Sequence, residues 1–430
     1  MSIWELPGIG LPIVFNPPML RTLPAVGHPI RMRTIFQSFL RRGKDQDSFQ
    51  NRFPDRPVFW VGSGTGALTL SLESISRGSH KKQVILPAYT CPSVLASVIK
   101  AGLKPVLCDI NLNDFNFKTE NLKLKICEDT LAVIAVHLFG IPENIFNLRE
   151  LTKKEGVVLI EDAAQAFGNK ILLNSFSLNT PNLTLNTNQY LGSFGDIGIF
   201  SFGRGKPLSF LNGGAVLVND EKYHKTVQEF HSSLSGSNHS PPTVLYFFNL
   251  LIYSIFYHPN LYWIPNNIPW LKLGETIFSL DFEIGRLNPN ALRIGRALIK
   301  NFEKIREKRG QIARAYRDRL KNIQEEFVYI PEWDKENISL LRFPIVFKSK
   351  EKRNRILLEL KERGLGATGM YPVPLNEQEG IPGYLFKEEG KLYPNAKHHS
   401  ERILTLPLHE YVRIKDIEII CRVIEKHLKN

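Results

Sequence analysis

The sequence is short of cysteine, and the four it has share no metal-binding rhythm. Cys91, Cys108, Cys127 and Cys421 stand apart, with no CxxC pair among them. That excludes a zinc site built on closely spaced ligands, and it suits a cytoplasmic chain that keeps its thiols reduced. Carboxylates are also in the minority: 42 Asp+Glu face 55 Lys+Arg, for a formal charge of +13. The excess fits a solvated basic surface, an anionic substrate or an anionic membrane face. No finger spacing or reader helix accompanies it, so nucleic acid is not expected as a partner. The opening MSIWELPGIG has no basic stretch followed by an apolar one, so no export signal is expected. The apolar run Val244–Tyr257 is broken only by Asn249 and Ser254. As a helix it spans roughly 21 Å, against about 30 Å of hydrocarbon, too short to cross a bilayer. Two readings of it stay open: a buried helix, or an interfacial aromatic patch giving weak peripheral membrane contact.

At 430 residues the chain exceeds one ordinary core, and two domains are expected. Residues 1–57 are Pro-rich and then basic, and read as an arm followed by a short amphipathic helix. From Val58 to about 220, runs such as VILPAYT, VLCDI, VIAVHLFG, VVLIEDAA and GAVLVN alternate with helical stretches. That pattern predicts a mostly parallel α/β sheet. The large domain is expected over 58–280, with insertions at about 171–190 and 221–280. The first insertion reads as a surface excursion or hairpin. A long charged connecting helix over 281–322 follows, then a smaller α+β domain over 323–430.

Three stretches carry chemistry. WVGSGTGAL (Trp60–Leu68) follows a strand and opens a helix, where small residues let backbone N–H groups approach an anion. Gly62, Gly64 and Ala67 fit G-x-G-x-x-A, so a dinucleotide site, a single-phosphate site and a bare turn are all open. The dinucleotide reading wants an acid at the end of the second strand, and LPAYT has none. VVLIEDAAQ sets Glu161 and Asp162 at the end of a buried strand, where a carboxylate needs a cation or serves as a helix cap. SFGRGKPLSF sets Lys206 in a glycine-rich turn between apolar runs. A phosphate cradle, a carboxylate for a pyridinium nitrogen and an amine for a Schiff base are what pyridoxal 5'-phosphate requires.

These stretches, with YTCPSVLASVIKAGLKPVLCDI, GSFGDIGIFSF, NGGAVLVND, ERGLGATGMYPVPLN and ERILTLPLHEYV, resemble the DegT/StrS-type family of pyridoxal-phosphate sugar aminotransferases. The resemblance implies an aspartate-aminotransferase-like fold (fold type I) working as a homodimer, with an amino donor and a keto-sugar, nucleotide-linked, as substrates. It implies Lys206 as the Schiff-base lysine and Asp162 as the partner of the pyridinium nitrogen. Gln165 would lie near the phenolic oxygen, and Thr65, Gly66 and Ser201 would hold the phosphate. Two positions depart from the family pattern. Cys91 stands where an aromatic usually stacks on the ring, so stacking either passes to Tyr89 or is lost. Ile284, in FEIGRLN, stands where the family sends an asparagine to the neighbouring subunit's phosphate, while Arg286 matches.

Overall fold

The computed structural model describes residues 21–40, 49–173, 187–234, 243–268, 271, 273–274, 276–331, 337–383, 385–386 and 392–429. The beginning of the expected arm, and most of the excursion expected at 171–190, lie outside the described residues. In chain order, helix α1 (Met32–Leu40) precedes β1 (Val58–Val61), α2 (Gly64–Ser76), β2 (Gln83–Pro87), α3 (Pro92–Lys100) and β3 (Lys104–Cys108). Then come α4 (Thr119–Lys125), β4 (Thr130–Val136), α5 (Ile145–Lys154), β5 (Val158–Asp162), the paired strands β6 (Lys170–Leu173) and β7 (Thr187–Tyr190), β8 (Ile197–Ser201) and β9 (Gly214–Val218).

Seven of these strands form one sheet in the order β1-β9-β8-β5-β4-β2-β3, and β9 alone runs against its neighbours. Strand β4 shows why both faces must be covered. All of TLAVIAV is buried. Ala132 and Ile134 pack with Leu70 and Val94 of α2 and α3, while Val133 and Ala135 pack with Leu122 and Leu148 of α4 and α5. Successive side chains of a strand point to opposite faces, so an unbroken apolar run needs a helix layer on each.

The rest of the large unit is helical: α6 (His224–Ser233), α7 (Thr243–Phe256), α8 (Pro259–Asn266), α9 (Pro289–Ile299) and α10 (Phe302–Leu320). The single connecting helix expected here is two helices. They part at Lys300–Asn301, where Phe302 is fully buried beside the Phe167 ring, 5.0 Å between centroids. The smaller sheet, β10 (Phe327–Tyr329), β11 (Arg342–Phe347) and β12 (Ile403–Pro407), is antiparallel with β11 central. Helices α11 (Lys350–Glu362), α12 (Pro394–Arg402) and α13 (Ile414–Lys429) accompany it. The architecture is that of fold type I: a large mixed α/β domain and a smaller C-terminal one.

Residues 21–30 run as an extended strap. Arg21 pairs with Asp416 at 2.6 Å and Leu23 N–H donates to the Gly364 carbonyl at 2.7 Å, both in the smaller unit. His28 accepts from Ser209 N–H at 2.8 Å, in the larger one.

Candidate active site

The carboxyl ends of β5 and β8 and the first turn of α2 open onto one cavity of about 710 Å³. Thr65, Asp162, Gln165, Ser201 and Lys206 all line it.

Helix α2 starts where it does because Ser63 caps it, its Oγ accepting from Gly66 N–H at 2.9 Å. Gly64 is needed at the next position. A Cβ there would stand 2.5 Å from the Ser201 Cβ, so only glycine lets Ser201 sit against the helix start. The result is a small hydroxyl-lined recess at a helix N-terminus, which suits a dianionic phosphate. Gly66 itself is buried behind the wall, its N–H already spent on Ser63. Of this turn, Gly64 and Thr65 line the cavity, and Gly66, also expected at the phosphate, does not.

Glu161 and Asp162 are adjacent and opposite in character. Glu161 turns into the protein and accepts from His137 Nε2 (2.8 Å) and from the N–H groups of Gly192 (2.6 Å), Phe194 (2.7 Å) and Gly195 (2.9 Å). Burial alone would raise its pKa, but the His137 bond and these N–H donors outweigh it and hold the carboxyl below the usual range. His137 is itself fixed, since its Nδ1 accepts from Glu143 N–H at 2.9 Å. Asp162 points into the cavity with one such bond, from Ala164 N–H at 2.9 Å. Burial pushes its pKa up, and the Lys206 charge and the Ala164 N–H only partly offset this. A buried carboxylate so lightly held fits a cationic ring N–H as its missing partner.

Lys206 follows β8 in a turn closed by its own N–H on the Gly203 carbonyl (3.3 Å), with Gly205 at φ 75°. No carboxylate among the described residues forms an ion pair with it. Gln165 is locked at both ends: Oε1 accepts from Phe139 N–H (3.0 Å) and Nε2 donates to the Tyr371 hydroxyl (3.2 Å).

Tyr89 is not brought to the cavity. Its ring is 1% exposed, and its hydroxyl donates to the Met370 carbonyl while accepting from Tyr371 N–H at 2.8 Å. It braces the two domains, and the stacking expected of it is not available; Thr90 and Cys91 line the wall instead. Ile284 lies in its own chain beside the start of α2, with Gly62 N–H donating to the Gly285 carbonyl at 2.8 Å. Sequence reasoning missed Arg204, Arg342 and Tyr371, and the roof over the cavity, where Tyr253 and Phe256 of α7, Tyr257 of the turn after it and Tyr262 of α8 contribute. Arg342 carried a readable signal: it is the one charged residue of the otherwise apolar strand RFPIVF.

A family model for the DegT/DnrJ/EryC1/StrS aminotransferases matches residues 32–242 and 284–425. The chain belongs to this family. Among characterised relatives it is similar to the UDP-N-acetyl-3-dehydro-alpha-D-glucosamine 3-aminotransferase of Acidithiobacillus ferrooxidans, 25% identical over 85% of this chain and 83% of the relative. It is also similar to a pleiotropic regulatory protein of Geobacillus stearothermophilus, 25% identical over 81% of this chain and 78% of that one. In architecture it resembles a Helicobacter pylori aminotransferase involved in pseudoaminic acid biosynthesis, with a TM-score of 0.71 and 19% identity over 95% of this chain and all of the other. The family member described here is a pyridoxal-phosphate-dependent aminotransferase. The glycine-opened recess and the lightly held Asp162 fit that cofactor.

Proposed function

We propose that the chain moves an amino group from glutamate to a keto-sugar, nucleotide-linked, in the biosynthesis of surface or related glycans. The observation that carries this is the convergence of Lys206, Asp162 and the α2 recess on one cavity. When bound, pyridoxal phosphate supplies an electron sink for the carbon that loses or gains the amine. Thr65 and Ser201 hold the phosphate at the helix start. Asp162 keeps the ring nitrogen protonated. Lys206 Nζ would tether the cofactor and, when free, would serve as the base at the donor Cα and as the acid that returns the proton to the cofactor. Gln165, fixed by Phe139 and Tyr371 and lining the cavity, would lie against the cofactor.

Relatives named for UDP-, GDP- and dTDP-linked sugars support a nucleotide carrier. Glutamate should convert the cofactor's absorbance to that of the amine form, and a panel of keto-sugar nucleotides should discharge it. A protein inert to glutamate favours the second reading, a cofactor-binding regulatory protein, which the Geobacillus stearothermophilus relative supports. A sugar dehydratase of the same family is disfavoured, because those members resemble this chain with histidine in place of Lys206.

The finer partners belong to the same reading: a homodimer in the cytoplasm, with weak peripheral contact to anionic membrane. Among the described residues no helix is long and apolar enough to cross a membrane. A surface contact is supported instead by exposed Phe36 and Leu40 of α1 and Leu245, Phe248 and Ile252 of α7, helices joined through Phe36 and Phe247 at 5.4 Å. Helices α1, α7, α8 and α9 contain no Asp or Glu, while Arg33 and Arg293 are exposed on α1 and α9. Exposed apolar side chains on helices that carry basic but no acidic residues suit an anionic bilayer. Wild type should float with anionic but not neutral vesicles at low salt, and Leu245→Ser with Phe248→Ser should abolish it. A face that instead drives self-association would show as a dimer lost in the same variant, without flotation.

A further inference from the structure

Four histidines are buried among the described residues: His28, His137, His399 and His409. His399 and His409 each leave one ring nitrogen without a partner, and His137 serves Glu161. His28 has both nitrogens engaged. Its Nδ1 lies 3.1 Å from the Pro29 carbonyl, and its Nε2 accepts from Ser209 N–H at 2.8 Å. Burial, and after it the Arg309 charge, lowers the His28 pKa to about 4, so the ring is neutral at physiological pH. A neutral ring with its proton on Nδ1 toward Pro29 leaves Nε2 as an acceptor.

Ser209 ends the turn that carries Lys206. Among the described residues, its bond to His28 is the only hydrogen bond that ties residues 203–209 to any part of the chain outside 202–213. Inside the turn, Lys206 N–H reaches the Gly203 carbonyl at 3.3 Å, a long bond. The strap also touches the turn on the other side of the lysine. A Cβ on Gly205 would stand 3.0 Å from Val26 Cγ1, and Val26 lines the cavity with Lys206. The strap is itself held at each of these residues. The carbonyls of Val26, Gly27 and His28 accept from Tyr257 O–H (3.2 Å), Arg309 Nη2 (3.3 Å) and Tyr253 O–H (3.1 Å). A glycine-rich turn with one long internal bond has many conformations of similar energy. An amine that must tether a cofactor and then move a proton needs one of them, and a misplacement of about 1 Å can cost a hundredfold in rate. The group that removes this freedom stands 181 positions away in the chain.

We propose that His28 is a positioning residue for Lys206, its Nε2 anchoring the far end of the lysine's turn to the strap. This rests on the reading of Lys206 as the lysine that bears the cofactor.

The test compares His28→Gln with His28→Asn. A glutamine amide reaches as far as Nε2 and can accept from Ser209, whereas an asparagine amide reaches only as far as Nδ1. Melting temperatures show whether both fold. Hydrogen exchange is read first, on the full chain without cofactor. In His28→Asn the backbone of residues 203–211 should exchange about five- to tenfold faster, with β4 and β5 unchanged, and His28→Gln should restore most of the protection. In holoenzyme, the glutamate half-reaction of His28→Asn should slow about tenfold or more at an unchanged half-saturating glutamate concentration, and His28→Gln should recover most of the rate. Variants that behave alike, both impaired or both like wild type, overturn the proposal. So does a turn that exchanges faster while the half-reaction keeps its rate. A further measurement needs no variant that lacks the bond. With histidine nitrogens labelled, NMR of wild type should show His28 Nε2, the signal lost in His28→Gln, without a proton at neutral pH; a proton there overturns the anchor. If exchange separates the two variants yet glutamate never converts the cofactor of wild type, the aminotransferase reading falls while the anchoring of the turn stands.

Discussion

The floor and the roof of the cavity are built by different rules. The floor is made from strand ends and a helix start: Thr65, Asp162, Ser201 and Lys206, all within the stretch that matches the family. Each sits where backbone geometry puts it, at the carboxyl edge of a sheet whose register is set by buried strands on both sides. The roof is made from α7 and α8, in the 243–283 gap between the matched stretches. It is held by side chains: Tyr246 O–H on the Phe210 carbonyl (2.6 Å), Tyr253 O–H on that of His28 (3.1 Å) and Tyr257 O–H on that of Val26 (3.2 Å). A floor fixed by the main chain preserves one chemistry. A roof fixed by side chains can vary without disturbing it.

If that division holds, the floor carries the rate. Lys206→Ala removes both tether and proton carrier, and turnover should fall by about four orders of magnitude or more. Borohydride reduction of wild type should leave the label on the Lys206 peptide; a label on another lysine would falsify the assignment. Asp162→Asn keeps the shape and removes the charge, and should cost roughly a hundred- to thousandfold in rate with little change in thermal midpoint. Activity close to wild type in that variant would remove the carboxylate from the reaction.

The roof should answer differently. Tyr253→Phe with Tyr257→Phe removes two bonds worth about 1 kcal/mol each. The acceptor KM should rise several-fold while glutamate converts the cofactor at the wild-type rate. A slowed glutamate step would join roof to floor and end the distinction. The smallest effect on rate is expected beneath the floor. Burial holds the Glu143 carboxyl up at about 8, the N–H groups of Asn144 and Phe117 only partly offsetting it. Its folded value lies above the unfolded one of about 4.3. The stability it contributes is complete below that lower value and is lost as pH rises through about 8. Glu143→Gln cannot ionise, so its melting temperature should decline less than that of wild type between about pH 5 and 8, with turnover little changed. An unaltered slope would place the titration elsewhere.

The same division explains what could be read from the sequence. Strand ends announce themselves locally: LIEDAA and SFGRGK place an acid and an amine after apolar runs, and the structure sets both at one cavity. Tyr89 shows the limit of that logic. It follows β2 as expected, but whether its ring meets the cavity depends on Met370 and Tyr371, some 280 residues away. The apolar run at Val244 announced a helix but not its position over the cavity, because α7 is held by the carbonyls of Val26 and His28. Arg342 was legible as an oddity in an apolar strand, though not as a residue lining the same cavity as Lys206.

The strap at residues 21–30 has a consequence in time as well as in space. Its partners include Asp416, 395 residues away, the Tyr411 carbonyl and the Pro24–His409 bond. Synthesis runs from the N-terminus at about 5–20 residues per second, and domains fold as they emerge. Arg21 thus leaves the ribosome well before the helix it will pair with exists. During that interval the main sheet can form, and the Val26–His28 end of the strap can meet Ser209, Tyr253 and Tyr257. The Arg21 end cannot be seated. The strap therefore settles in two stages, the second only once the C-terminal helix has been released.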